Sequence, residues 1–217
     1  MIRFQNISLK LGKHQILDQY NLKIATGEKV VLTAPSGSGK TSLLKLIMGF
    51  IDPDQGTIRF NQTEVKPGNM QHIRSQIGYL SQDIDFPNGR VSEVFQEIFR
   101  YSANKNIRYT TGNLVEKLQL VHLPPEIIHK NTIDISGGDR QKLGWTLIML
   151  LDRPVLLLDE PTSALEGAQK HFFIDYVLST GKTVICSSHD PEWQHPGMRI
   201  IPGFSSEDDL LRKKMPA

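Results

Sequence analysis

The chain has a single cysteine, Cys186, in 217 residues. That excludes an internal disulfide and a multi-thiolate metal site, and a lone thiol suits a reducing compartment such as the cytoplasm. Long apolar runs are missing as well. None approaches the roughly 18–20 residues that a bilayer span needs, and the start, MIRFQNISLK, lacks the apolar stretch of a signal peptide. The expectation is a chain that neither crosses a membrane nor is exported. Excess charge of one sign is also scarce: 25 Lys and Arg face 23 Asp and Glu, a net charge of +2. The overall balance therefore gives no electrostatic reason to expect a nucleic-acid partner. Repeats and low-complexity tracts are absent. What remains is an ordinary composition, 39% hydrophobic and 22% charged, in a length that buries a core without staples.

The pattern along the chain is mixed. Residues 2–10 (IRFQNISLK) alternate apolar and polar, and 20–26 do so less cleanly, which predicts antiparallel strands with one wet face. KVVLTA at 29–34 is a short buried strand running into a Gly-rich loop, and KTSLLKLIMGF at 40–50 has helical apolar spacing. TIRF at 57–60 and IGYLSQ at 77–82 read as further strands. From Val91 to about Leu151 the pattern is helical, with Ser92 as a candidate helix start. VLLLDE (155–160) and TVICSSH (183–189) are apolar runs without alternation, the mark of parallel strands covered on both faces. Residues 165–179 supply the crossover helix, and the charged end SSEDDLLRKKMPA reads as a surface helix or frayed tail. The fold class is α/β, with a helical stretch inserted into it.

Two motifs carry chemistry on their own terms. Residues 34–41 read APSGSGKT between a strand and a helix. In a phosphate loop the glycines let backbone N–H groups converge on phosphate oxygens, the lysine adds a positive charge at the terminal phosphates, and the hydroxyl ligates Mg²⁺. Gly37, Gly39, Lys40 and Thr41 fit those roles, with Ala34, Pro35, Ser36, Ser38 and Ser42 completing the cradle, although Ala34 stands where the usual pattern has glycine. The second motif is Asp159-Glu160 at the carboxyl end of an apolar strand, where open α/β sheets bind ligands. Strand neighbours point oppositely, so the two acids are expected to divide the work, one holding hydrated Mg²⁺ and the other orienting or deprotonating a water. A strand ending in two acids is common by itself; the phosphate loop gives this one its meaning.

With ISGGDRQK at 135–142, the series resembles the ATP-binding cassette (ABC) ATPases from about Phe4 to His189. The motifs fall in the family's order: APSGSGKT, a glutamine loop at Gln82, the signature Ser136-Gly137-Gly138-Asp139, VLLLDEPTSALE, and a switch histidine at His189. The resemblance implies a phosphate-loop NTPase core with an N-terminal antiparallel β subdomain, formed by 1–90 and 152–217, and a helical subdomain at about 91–151. It implies ATP and Mg²⁺ as cofactors, Thr41, Gln82 and Asp159 at the metal, and Glu160, His189 and Gln82 as catalytic residues. The signature is expected to face the γ-phosphate held by a second chain. A homodimer, or a pair with another ATPase subunit, would then sandwich ATP head to tail.

Some positions depart from the family pattern. Leu11 stands near where an aromatic usually stacks on adenine, which predicts weak base discrimination, with ATP and GTP turnover within tenfold of each other. Asp139 replaces the common glutamine, and LGWTLIML after the signature lacks the usual basic, alanine-rich continuation. The leading functional reading is the ATPase subunit of a transporter, peripheral on the inner face of the cell membrane and coupled to a separate membrane-spanning subunit, with no nucleic-acid partner. The loop DIDFPNGRVSEVF resembles the exporter-like form, and LPPEIIHKNTIDISGGD is similar to small bacterial ATPases assigned to metal export, iron among them. The alternatives are a soluble ABC ATPase of translation or DNA repair, and a nucleotide-responsive module with impaired turnover.

Overall fold

The computed structural model describes residues 1–35 and 37–204. Ser36 and the charged C-terminal stretch, for which a helix or tail is expected, lie outside the described residues. Two long strands, β1 (Ile2–Leu11) and β2 (His14–Ile24), open the chain as an antiparallel pair. A short strand β3 (Lys29–Leu32) leads into helix α1 (Lys40–Ile47), followed by β4 (Gln55–Phe60), β5 (Thr63–Glu64), α2 (Met70–Arg74) and β6 (Ile77–Leu80). Helices α3 (Val91–Arg100), α4 (Thr111–Leu120) and α5 (Gly137–Leu151) come next. The order closes with β7 (Val155–Asp159), α6 (Ala168–Ser179), β8 (Thr183–Ser187) and β9 (Arg199–Ile201).

The strands form two sheets. The first is antiparallel in the order β2-β1-β4-β5, and the second is parallel in the order β6-β7-β8-β3-β9. In the parallel sheet, side chains alternate between two apolar clusters. Val155, Leu157 and Ile185 join α1 and the antiparallel sheet, while Leu156, Leu158, Val184 and Cys186 join α3–α6. Both faces are covered, which is why these strands carry no polar alternation. The apolar side chains of α3 and α4, such as Phe95 and Leu118, belong to the same contiguous cluster as one face of that sheet.

Strand β2 begins at His14, six residues before the expected start at 20. Its buried residues Leu17 and Tyr20 are three apart, as are Phe4 and Ile7 on β1, and the register shifts between them. Asn6 and Gln19 take positive φ at these irregularities. A bulge breaks the period of two and hides the strand from a pattern search. Ser92 does not cap α3, which starts at Val91 with no side-chain cap; the Val91 N–H instead donates to Lys130 O at 3.0 Å. The short elements α2, β5 and β9 escape the sequence pattern.

Candidate functional site

The carboxyl ends of four parallel strands meet at one cavity of about 510 Å³. β3 leads into the 34–41 loop, β6 into Gln82, β7 into Asp159 and Glu160, and β8 into His189. The cavity is lined by Gly37, Gly39, Lys40, Thr41, Ser42, Gln82, Asp159, Glu160 and His189, with Leu11 and Ile16 at its edge from the antiparallel sheet. Phe4, the aromatic nearest the N-terminus, is instead buried against Tyr20 in the sheet core.

Local geometry explains the loop. Gly39 takes φ +100, and a Cβ there would lie 2.2 Å from Ile16 Cγ2, so glycine is required on both counts. Ala34 is fully buried and is not among the positive-φ residues, so its methyl is accommodated. The Lys40 ammonium donates to Ala34 O at 2.7 Å and to Pro35 O at 3.3 Å, and lies 2.7 Å from His189 Nε2. Burial lowers its pKa, while the Glu160 and Asp159 charges push back. The Ser38 hydroxyl is buried and has no hydrogen-bond partner among the described residues. Ser38 is not among the residues that line the cavity.

The two acids are held differently. Asp159 is 2% exposed and accepts a 2.8 Å hydrogen bond from Ser187 Oγ, its register partner on β8. Glu160 lies past the end of β7 with φ +46, so the strand's alternation stops there and both carboxylates reach the same cavity. Its Oε2 accepts from the His189 N–H at 3.3 Å, and its Oε1 lies 3.6 Å from His189 Nε2. Cys186, buried beneath them, has its thiol pKa raised well above the ordinary value by burial and by both acids, so it stays an unreactive core side chain.

The signature residues stand elsewhere. Ser136 caps α5, its hydroxyl accepting from Asp139 N–H at 3.3 Å. Gly138 brings the helix start against Ala164 O, where a Cβ would approach to 3.1 Å, while Gly137 has open space. Gly137 lines a second cavity of about 530 Å³ with Gln82, Arg140, Gln141 and Ala164, and none of Ser136–Asp139 lines the first. Gln82 and Ser163 line both. One chain thus places the 34–41 loop and the Ser136–Asp139 helix start at separate cavities.

Sequence reasoning missed Ser187, Ile16 and Gln141. Ser187 was signalled by a hydroxyl at the end of an apolar strand in register with Asp159. Ile16 was signalled by nothing local, because its role comes from Gly39 packing across from another element. Gln141, 3% exposed, was visible only as a polar residue just past the signature.

The residues present fit Mg²⁺ with a nucleotide. Among the described residues no cluster of three His, Cys, Asp or Glu exists to hold a metal by protein groups alone. A hydroxyl (Thr41), a carboxylate (Asp159) and an amide (Gln82) are the oxygen donors that suit Mg²⁺ sharing its shell with phosphates and water.

Known proteins resemble the chain along most of its length. The protein-family model described as ABC transporter matches residues 17–163. The probable iron export ATP-binding protein FetA of Escherichia coli (strain K12) is 29% identical, the match covering 93% of this chain and 90% of that protein. The osmoprotectant import ATP-binding protein OsmV of Salmonella typhimurium is 31% identical, with 98% of this chain but 60% of that protein covered. Among solved structures, the dimeric bacterial ABC transporter cassette MJ0796 superposes with a TM-score of 0.80 at 24% identity, covering 95% of this chain and 96% of that one. At that identity the likeness speaks for the fold.

Proposed function

This chain belongs to the ABC transporter family of ATPases, and from that premise we propose that it is an energy-supplying subunit that works as a head-to-tail pair against a separate membrane-spanning partner. The observation that carries this reading is the division between the two cavities. Lys40, Asp159, Glu160 and His189 gather at one, while the signature Ser136–Asp139 lies at the start of α5 beside the other. Each chain is then two half-sites, and a second copy completes both.

Each side chain has a task in hydrolysis. Backbone N–H groups of the 34–41 loop and the Lys40 ammonium grip the terminal phosphates of ATP. Thr41 and Asp159, with Gln82, would hold Mg²⁺, and the Ser187 bond would fix the Asp159 carboxylate for it. The chemistry Mg²⁺ would supply there is neutralisation of the phosphate charge. Glu160 takes the proton of the attacking water as its oxygen bonds to the γ-phosphorus and the bond to the β-phosphate oxygen breaks, leaving ADP and phosphate. His189, held beside Glu160, aligns that carboxylate and contacts the γ-phosphate. Ser136, Gly137, Gly138 and Asp139 of the second chain close the site, with the helix start facing phosphate. Leu11 and Ile16 cover the base with aliphatic surface.

Among the described residues no helix is long and apolar enough to cross a membrane. The membrane path is assigned to the partner, with this chain on its cytoplasmic side, coupled through the loop after Gln82. A match covering 90% of FetA, together with the 123–139 stretch, supports an exporter of metal-ion substrates. The test is isolation of the full chain from membranes. Recovery with a multi-span protein whose presence raises Mg-ATP turnover is the expected result. Recovery alone, or with RNA or DNA, contradicts it.

A further inference from the structure

Helix α5 carries two side-chain N–H donors four residues apart, on one face, and they meet two successive carbonyls of the loop that follows β7. Gln141 Nε2 donates to Glu160 O at 3.1 Å, and Trp145 Nε1 donates to Pro161 O at 2.9 Å. The Gln141 amide also works in the other direction, its Oε1 accepting from Ala164 N–H at 2.9 Å. Both side chains are buried, Gln141 at 3% and Trp145 at 0% exposed. Trp145 is wedged in place by stacking on Phe173 of α6, with centroids 4.5 Å apart and planes 14° from parallel. The loop they grip is the one in which Glu160 holds a left-handed backbone, φ +46, that a glutamate rarely adopts. Such a conformation persists only where its surroundings over-determine it.

We propose that Gln141 and Trp145 are positioning residues of the hydrolytic site: they tie the signature helix to the backbone of Glu160 and hold that carboxylate in line. The inference rests on the assignment of Glu160 as base. It also gives the departure in LGWTLIML a purpose, since a smaller aliphatic residue at position 145 has neither the indole donor nor the ring that stacks on Phe173. Mechanically, Gln141 is one turn from Ser136–Gly138, so a force on the start of α5 reaches the Glu160 carbonyl through a single side chain.

The test compares Trp145→Phe, which keeps an aromatic ring against Phe173 but loses the donor, and Gln141→Met, an unbranched apolar replacement. Each is measured in the full chain with Mg-ATP alongside Glu160→Gln. The expected result is a fall in kcat of about tenfold with KM within about twofold, because the carboxylate moves and the phosphate grip does not. A far-UV circular dichroism spectrum and a cooperative melt of Trp145→Phe matching those of the unmodified chain show that the fold is intact, and the indole N–H of Trp193, which donates to Thr162 Oγ1 at 2.9 Å in the same loop, is expected to shift. If Trp145→Phe does not fold, Gln141→Met carries the test. A kcat within about twofold of the unmodified chain overturns the proposal when Glu160→Gln is inactive. So does an equal loss in affinity and turnover, which marks a merely structural role. Full turnover by Glu160→Gln instead overturns the assignment of the base itself, and the positioning role with it.

Discussion

The two sheets share an apolar cluster but carry different chemical loads. The antiparallel sheet contributes Phe4, Ile7, Tyr20 and Ile58 to that cluster, yet among the described residues it places only Leu11 and Ile16 at the proposed nucleotide cavity. The parallel sheet contributes Leu32, Leu157 and Ile185 to it, and the ends of its strands deliver the phosphate loop, both acids, Gln82 and His189. The difference follows from topology. Parallel strands end on the same edge, so every loop leaving that edge converges on one crevice. Antiparallel strands end alternately, and one edge collects few loops. Chemistry is therefore expected to concentrate on the parallel side, and the choice of base on the antiparallel side.

Substitutions on either side can break that contrast. The largest effect is expected from Glu160→Gln, with turnover falling about 10²- to 10⁴-fold, the range for loss of a general base, while ATP affinity stays within a few-fold. A drop in affinity of similar size would dissolve the distinction between grip and chemistry. Next is Lys40→Ala, which removes charge-assisted bonds to phosphate. Affinity for ATP, measured by calorimetry, should weaken about 10- to 100-fold. Leu11→Tyr acts from the antiparallel side. A ring over the base should tighten ATP about 2- to 10-fold and leave kcat unchanged, whereas a changed kcat would put that sheet into the chemistry.

The smallest effect concerns the pair Lys170–Asp190, 2.7 Å apart, which ties α6 to the segment after His189. Burial pushes the Asp190 pKa up, but the bonds from Lys170 and the Glu192 N–H, with the Lys170 and His171 charges, outweigh it and leave it below the ordinary 3.8. The hydrogen bond to Asp190 raises Lys170 above 10.5. A depressed carboxylate stabilises the fold above its unfolded pKa and loses that contribution as pH falls through the folded value. The raised lysine keeps its contribution until pH rises past its own folded value. Lys170→Met should therefore lower stability by about 0.5–1 kcal/mol near neutrality, read as a Tm difference that closes in acid below the Asp190 pKa and in strong alkali.

Much of the molecule was legible before any coordinate. Buried parallel strands announce themselves as unbroken apolar runs, and the phosphate loop, VLLLDE and SSHD sit where those runs end. Other features depend on what folding brings together. The bulges beside Asn6 and Gln19 broke the alternation that would have marked β2. The left-handed turn at Glu160, which brings both acids to one cavity, defeats the rule that strand neighbours point apart. Gly39 needs to be glycine partly because of Ile16, which is distant in sequence. Trp145 read as a departure from pattern, and only packing reveals the carbonyl it meets.

If each chain holds two half-sites, variants broken in different halves should complement each other when mixed. Glu160→Gln removes the base but leaves the signature. Gly137→Asp leaves the base and puts a negative charge at the signature, in open space within its own chain and at a helix start that favours acids. Each variant alone is expected to be nearly inactive. An equal mixture should recover about a quarter of the unmodified turnover, since half the pairs are mixed and each mixed pair has one complete site of two. A mixture no more active than its parts, or Gly137→Asp turning over ATP at full rate alone, would contradict the claim.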